Sequence, residues 1–232
     1  MNIIITGASK GIGKAIAEKF ASENNRLLLC ARNESGLKET TAALQVQFPM
    51  AEVKCMVADL SEKKDISAFA AWCLQYEAPD VLVNNAGRYI AGNVIDEPEG
   101  SLEKMMESNL YSAYHLTREL VPAMIKNGSG HIINICSVAS LHAYQGGGGY
   151  SISKFALNGF SLNLRNELKP HGIKVTAVFP GAVFTDTWGN YDNSNNRIME
   201  AEDIATMIHA ATKLSAQAVV EEMLLRPQLG DL

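Results

Sequence analysis

Short apolar runs of strand length alternate with helix-length segments from residue 2 to about residue 225, and that alternation leaves few folds open. Strands are predicted near 2–6 (NIIIT), 26–31 (RLLLCA), 51–57 (AEVKCMV), 80–84 (DVLVN), 131–136 (HIINIC), 173–179 (IKVTAVF) and 218–225 (AVVEEMLL). Helices are predicted near 12–22, 35–47, 63–76, 102–126, 150–169 and 201–214. Several strands are apolar on both faces, as a parallel sheet covered by helices on both sides requires. Strand and helix in alternation predict an α/β chain: a single-domain, Rossmann-like, doubly wound fold with a seven-stranded parallel sheet. No repeat, linker or composition break divides residues 1–232. The most polar stretch, GNYDNSNNR at 189–197, reads as an exposed loop.

Composition excludes several classes. With 47% hydrophobic and 19% charged residues the chain is neither disordered nor low-complexity. A net charge of −5 offers no surface for nucleic acid. No apolar run approaches the roughly 18 residues that span a bilayer, so no membrane partner is expected. Met1 leads straight into NIIIT without a basic leader, and the expected location is cytoplasmic. Cys30, Cys55, Cys73 and Cys136 are scattered, and the five histidines show no ligand spacing, so no metal is expected.

Chemistry concentrates in two places. Thr6-Gly7-Ala8-Ser9-Lys10-Gly11-Ile12-Gly13 follows the first strand and opens the first helix. Glycines there permit a tight turn, and a helix N-terminus offers free N–H groups and a positive dipole end to a pyrophosphate. Further on, Tyr150 and Lys154 are four apart, which places them on one helical face about 6 Å apart along the axis. An ammonium beside a phenol favours the phenolate, so such a tyrosine can act as acid or base near neutral pH. Ser137 ends the run HIINIC and can bring a hydroxyl toward the same carbonyl oxygen.

Together with Asp59-Leu60 after strand three, Asn84-Asn85-Ala86-Gly87 after strand four, Asn109, and Pro180-Gly181 after strand six, these motifs fall in the order of the short-chain dehydrogenase/reductase family, which the chain resembles. The resemblance runs from residue 2 to about 225. It implies a cofactor half over about 1–130 and a catalytic and substrate half over about 131–232. It further implies Tyr150 as proton donor to the substrate carbonyl, Lys154 on the nicotinamide ribose, Ser137 on the carbonyl oxygen and Asn109 holding a water in a relay from Lys154. For the cofactor it implies Gly7, Ser9, Lys10, Gly11, Ile12 and Gly13 at the phosphates, Asp59 and Leu60 at the adenine, and Asn85, Ala86 and Gly87 along the adenine ribose. Pro180, Gly181, Val183 and Thr185 are implied at the nicotinamide.

Cofactor choice rests on charge. Strand two ends Cys30-Ala31-Arg32, where an NAD-selective site would carry an acid. An arginine fork can pair with a 2′-phosphate, with Lys10 as a second cation, so NADP(H) is expected. Arg88, Tyr89, His142, Tyr144, Phe184 and Trp188 are the expected pocket lining, and Arg88 is equally a substrate-anion partner or a solvated loop residue. The family often carries a serine where this chain has Cys136, which reads as a buried strand-end cysteine. The glycine run Gly146–Gly149 predicts a roomy pocket floor or local flexibility.

The functional expectation is a reductase or dehydrogenase for a small or medium carbonyl or alcohol. An alternative is a 3-oxoacyl-[acyl-carrier-protein] reductase, which needs a basic docking surface near Arg118, Lys126 and Arg165. A non-enzymatic NADP-binding sensor is the third reading. The resemblance implies a homodimer or homotetramer built through the last strand and tail and the segments 102–126 and 150–169. Leu157, Phe160, Leu164 and Leu168 form a face that meets either the protein's own core or a neighbour.

Overall fold

The computed structural model describes residues 1–189 and 191–231; Asn190, inside the predicted polar loop, and Leu232 lie outside the described residues. Strands β1 (Asn2–Thr6), β2 (Arg26–Ala31), β3 (Glu52–Val57), β4 (Val81–Asn84), β5 (Gly130–Ile135), β6 (Ile173–Pro180) and β9 (Glu222–Leu225) form one parallel sheet in the order β3-β2-β1-β4-β5-β6-β9. The order reverses beside β1, so the ends of β1 and β4 open the crevice where doubly wound sheets bind ligands. Helices α1 (Gly11–Ala21), α2 (Glu34–Gln47) and α7 (Ala201–Thr212) cover one face, while α3 (Lys63–Cys73), α5 (Ser112–Asn127) and α6 (Gly148–Leu168) cover the other.

Strand periodicity explains this division. Ile3 and Ile5 pack with Ile16, Phe20 and Ile208 on one side, and Ile4 packs with Phe69, Leu116 and Leu120 on the other. On α6 the spacing of Leu157, Leu164 and Leu168 places all three in the protein's own core, with Phe160 packed beside them. That face is therefore committed within the chain. The outward stripe of the helix carries Ile152, Phe155 and Leu162, each exposed.

A buried polar chain ties the layers together beneath the crevice. Asn84 Nδ2 donates to Thr117 Oγ1 (3.0 Å) and to Asn134 Oδ1 (2.8 Å), and Asn134 Nδ2 donates to Ser161 Oγ (2.8 Å). It links α5, β4, β5 and α6 through groups that water does not reach.

Three expectations change. The helix predicted over 102–126 is α4 (Ser101–Met106), a π-helical turn at Glu107–Tyr111, and α5. The wide turn leaves backbone carbonyls short of helical partners; the Ser108 hydroxyl donates to Lys104 O (2.8 Å) and the Ser112 hydroxyl to Ser108 O (2.6 Å). The last strand starts at Glu222 rather than near 218, because a Ser215–Ala218 turn precedes it and the Thr176 hydroxyl, not the backbone ladder, takes Val220 O. Unpredicted are the two-residue strands β7 (Val183–Phe184) and β8 (Met199–Glu200), which pair in parallel and close the base of the loop between them. Asn193 pins that loop from inside, accepting from Ile198 N (3.0 Å), while residues 194–196 are exposed as predicted.

His131 on β5 serves this architecture rather than a metal or a reaction. Thr176 spends its own proton on Val220 O, so its oxygen accepts from His131 Nε2–H (2.7 Å), which places the proton of the neutral ring on Nε2. Burial, with a smaller contribution from the Lys174 charge, pushes this imidazole down to about 4. An unfolded histidine near 6.5 binds a proton that the folded protein refuses, so the stabilisation is complete above pH 6.5 and disappears as pH falls toward 4. Between pH 7 and pH 5 we expect urea unfolding to show a loss of about 2 kcal/mol in the native protein that His131→Gln lacks. Equal pH dependence in the two would remove His131 from the account.

Candidate active site

The crevice is a cleft of about 820 Å³ that runs from Arg32 past the glycine-rich turn to Tyr150 and Pro180. Its floor at the phosphate end is built by close approach. A Cβ on Gly13 would lie 2.4 Å from Gly7 O and 2.5 Å from Asn85 Nδ2, so no side chain fits. Gly7 itself has a φ of 65°, in the left-handed region. The Thr6 hydroxyl accepts from the backbone N–H groups of Asn85 and Ala86 (2.9 Å each). Asn85 Nδ2 returns to Thr6 O (2.8 Å) and Gly7 O (3.1 Å). The Asn85 amide is thus a brace for the turn, while the residue still lines the cleft with Ala86 and Gly87. Helix α1 starts at Gly11 with no side-chain cap and no acidic residue in its first turn. Its positive end is unneutralised and faces the cleft, with Ser9, Lys10, Gly11 and Ile12 around it.

At the far end of this half, Arg32, Asp59 and Leu60 line the cleft together. Burial alone would raise the Asp59 carboxyl, but hydrogen bonds from the Ser61 hydroxyl (2.7 Å) and N–H (3.0 Å), then the charges of Arg32 and Arg88, hold it below the usual carboxylate range. The Arg88 charge therefore reaches Asp59 across this end of the cleft. Lys10 pairs with Asp186 (3.1 Å), both more than half exposed, so the glycine turn and the segment after β7 are joined across the cleft mouth.

Ser137, Tyr150 and Lys154 all line the other half. Ser137 leaves β5 in extended backbone and opens a short 3₁₀ turn at Val138–Ser140; its Oγ accepts from Ala139 N (3.1 Å). Lys154 is only 5% exposed, and its Nζ donates to Ile135 O (2.7 Å) while lying 5.8 Å from the centre of the Tyr150 ring. The ring of Tyr89 stands edge-on to that of Tyr150 at 5.0 Å. Burial first, then the phenols of Tyr89 and Tyr150, push the Tyr144 phenol well above its ordinary value, which keeps it a protonated donor.

Asn109 lies just outside the lining of the cleft. It is 1% exposed and stands behind the cleft rather than in its lining. The π turn swings its amide inward, where Oδ1 accepts from Arg88 N (2.6 Å) and Nδ2 donates to Arg88 O (3.0 Å) and Ser153 Oγ (2.9 Å). A Cβ on Gly87 would fall 3.1 Å from Asn109 Oδ1 and 3.8 Å from Lys154 Nζ, so the two side chains border a space that glycine leaves open.

Pro180, Gly181, Val183 and Thr185 reach the cleft where expected. So do Arg88, Tyr89, His142, Tyr144 and Trp188, but not Phe184. The two-residue period of β7 sends Val183 inward and Phe184 to the opposite, exposed side. The Cys136 thiol, pushed by burial to about 11, stays protonated in the core, as expected of a strand-end cysteine. Sequence reasoning missed Arg226 and Asp231, an ion pair (3.3 Å) on the tail that returns to the cleft beside Gly181. Nothing local in RPQLGD announces that return. Among the described residues no group of three or more metal-ligating side chains occurs, and no helix is long and apolar enough to cross a membrane.

The family model described as short chain dehydrogenase matches residues 1–196. The sepiapterin reductase of Chlorobaculum tepidum is 33% identical over 239 residues, covering 99% of this chain and 97% of that protein. An alcohol dehydrogenase structure from the archaeon Thermococcus sibiricus, complexed with 5-hydroxy-NADP, has a TM-score of 0.90 at 27% identity and covers 97% of this chain and 96% of its own. A metagenomic short-chain oxidoreductase in complex with NADP has a TM-score of 0.85 at 33% identity, with 98% and 97% covered. With the glycine cradle, the Tyr150/Lys154 pair and this match along its length, the chain belongs to the short-chain dehydrogenase family of oxidoreductases.

Proposed function

We propose that the protein transfers hydride between NADP(H) and a small or medium carbonyl or alcohol substrate, with Tyr150 as the general acid and base. The observation that carries this reading is one continuous cleft holding Arg32 at one end and Ser137, Tyr150 and Lys154 at the other. The glycine cradle, the uncapped end of α1 and the paired charges around Asp59 fit a dinucleotide. Bound there, the nicotinamide would supply the hydride.

The protein's own residues do the rest. Tyr150 gives its phenolic proton to the carbonyl oxygen in reduction and recovers it in oxidation. The Ser137 hydroxyl donates to the same oxygen and holds the carbonyl for attack. Lys154 has three N–H donors and spends one on Ile135 O, so two remain for a ribose. Asn109 acts by fixing the Arg88 backbone and the floor of α6. The halves divide the labour: residues to about 130 hold the cofactor and those beyond carry the chemistry.

The acyl-carrier-protein reading has less support. Arg165 is bound to Glu221 and its side chain is 14% exposed, which removes one of the three cations that reading needs. We further propose a cytoplasmic homodimer or homotetramer that uses the outward stripe of α6. Light scattering at micromolar concentration should give a mass of at least two chains; a monomer would end that part of the proposal.

Tyr150→Phe should lower kcat by a factor of about 10² to 10⁴, the usual range for losing a positioned acid, with NADPH affinity nearly unchanged. Turnover within a few-fold of the native protein would exclude this mechanism. Quenching of tryptophan fluorescence, with Trp188 in the cleft, reports cofactor binding. NADPH should bind at least tenfold tighter than NADH, about 1.4 kcal/mol, and Arg32→Asp should reverse the order. Equal affinities in the native protein would mean that Arg32 faces solvent and the cofactor is NAD.

A further inference from the structure

The glycine run before Tyr150 leads into α6, and Gly146–Gly149 are absent from the lining of the cleft. Gly148 and Gly149 form the first residues of α6, and Tyr150 is the third. Against them packs the loop that follows β4. Gly149 N–H donates to Glu97 Oε2 (2.9 Å), Gly146 N–H donates to Asn93 Oδ1 (2.9 Å), and Gly92 N–H donates to Gly146 O (3.2 Å). A Cβ on Gly148 would lie 2.5 Å from Gly92 O and 2.7 Å from Glu97 Oε2; one on Gly149 would lie 3.1 Å from Glu97 Oε1. The glycines are small because the loop sits directly on the helix end.

We propose that Glu97 is a positioning residue for Tyr150: its carboxylate caps the first turn of the catalytic helix from a segment some fifty residues away in sequence. The N-cap position, Gly147, has no side chain to do so, and no acidic residue occurs in the first turn. Glycine is also the poorest helix former after proline, so this turn has little tendency to stay helical unaided. An external carboxylate supplies both missing elements, an acceptor for an orphan N–H and a negative charge at the positive end of the dipole. Bonds within the loop hold Glu97 in place. Asn93 N–H donates to Asp96 Oδ1 (2.9 Å) and Glu97 N–H to Asn93 O (2.8 Å), which aims Glu97 inward. The same strand-to-helix connection carries Tyr89, whose ring lies against Tyr150. The loop therefore holds Tyr150 twice, through its backbone turn and through its ring.

The inference rests on Tyr150 being the proton donor, so the test includes a readout that does not depend on turnover. Hydrogen exchange of the Gly149, Tyr150 and Ser151 amides should quicken tenfold or more in Glu97→Ala, with α6 beyond Leu157 unchanged. In the same variant kcat should fall about tenfold while the Kd for NADPH stays within twofold. Glu97→Gln keeps an acceptor at the same place and should recover most of both losses. Unchanged exchange in Glu97→Ala would overturn the capping role, whatever the turnover. Faster exchange with an unchanged kcat would overturn the link to Tyr150. Failure of Glu97→Gln to recover, or a fall in NADPH affinity that matches the fall in kcat, would make the residue a general stabiliser and overturn it too. A Tyr150→Phe protein with native turnover would instead count against the proposed mechanism, leaving the exchange result to stand.

Discussion

The contact between the ends of β1 and β4 is the constraint from which the rest of this molecule follows. Two parallel strands finish side by side, and each must turn away at once, one into α1 and the other into the loop that reaches Glu97. Both turns are held by Thr6 and Asn85. One hydroxyl accepts two backbone N–H groups, and one side-chain amide donates to two carbonyls on the opposite turn. Net worth per hydrogen bond is about 1 kcal/mol, but the cost of leaving such buried groups unpaired is larger. The pairing therefore specifies a geometry more than it adds stability. Asn85 fills the space against Gly7 and Gly13, which is why glycine is required at both. What remains uncovered is the end of α1, a strongly polar feature pointing into the crevice.

The catalytic half is fixed by a second set of buried polar links. Lys154 is anchored on Ile135 O, Asn134 on Ser161, and Asn109 on Ser153, so α6 is tied to β5 and to the π turn at three levels. The rotation and depth of the helix leave little freedom. Ser153 Oγ also donates to Tyr150 O (2.8 Å), which carries the Asn109 contact to the backbone of Tyr150. A phenol that must meet a carbonyl oxygen within a fraction of an ångström needs such support, because its own side chain has two free torsions. The π turn is part of the same solution. An ordinary α turn at 107–111 would place Asn109 on another face of the helix, away from both Arg88 and Ser153.

Much of this was legible in the sequence, and the reasons for success and failure are physical. Strand and helix order is encoded in local periodicity, so β1 to β6 and helices α1, α2, α3, α6 and α7 fall close to where apolar runs predict them. The Tyr150/Lys154 pair is readable because four residues make about one helical turn, and the glycine turn because its context of strand and helix is local. The π turn was not legible, since its cause is a set of contacts from Asn109 to residues 21 and 44 positions away. Phe184 was assigned to the cleft because its loop reaches it; only the unpredicted pairing of β7 with β8 decides which of two neighbours points inward. At Gly148 and Gly149 the limit is the same, because the Glu97 loop that packs on them is remote in sequence. Four glycines in a row look like slack, and their meaning depends on a loop that sequence distance hides.

Charge placement around the cleft argues for an ordered sequence of contacts rather than a fixed charge clamp. Arg32 and Arg88 both act on Asp59 through their charges, so this end of the cleft holds two cations around one carboxylate. Lys10 is different, being exposed and held by an equally exposed Asp186. Pairs of that kind are worth about 0–1 kcal/mol, so a phosphate with two negative charges competes with the carboxylate at little cost. Removal of Lys10 from Asp186 would also release the segment after β7 from the glycine turn, against which Thr185 packs at Gly11. The mouth of the cleft and the cation proposed to meet the 2′-phosphate thus share one ion pair.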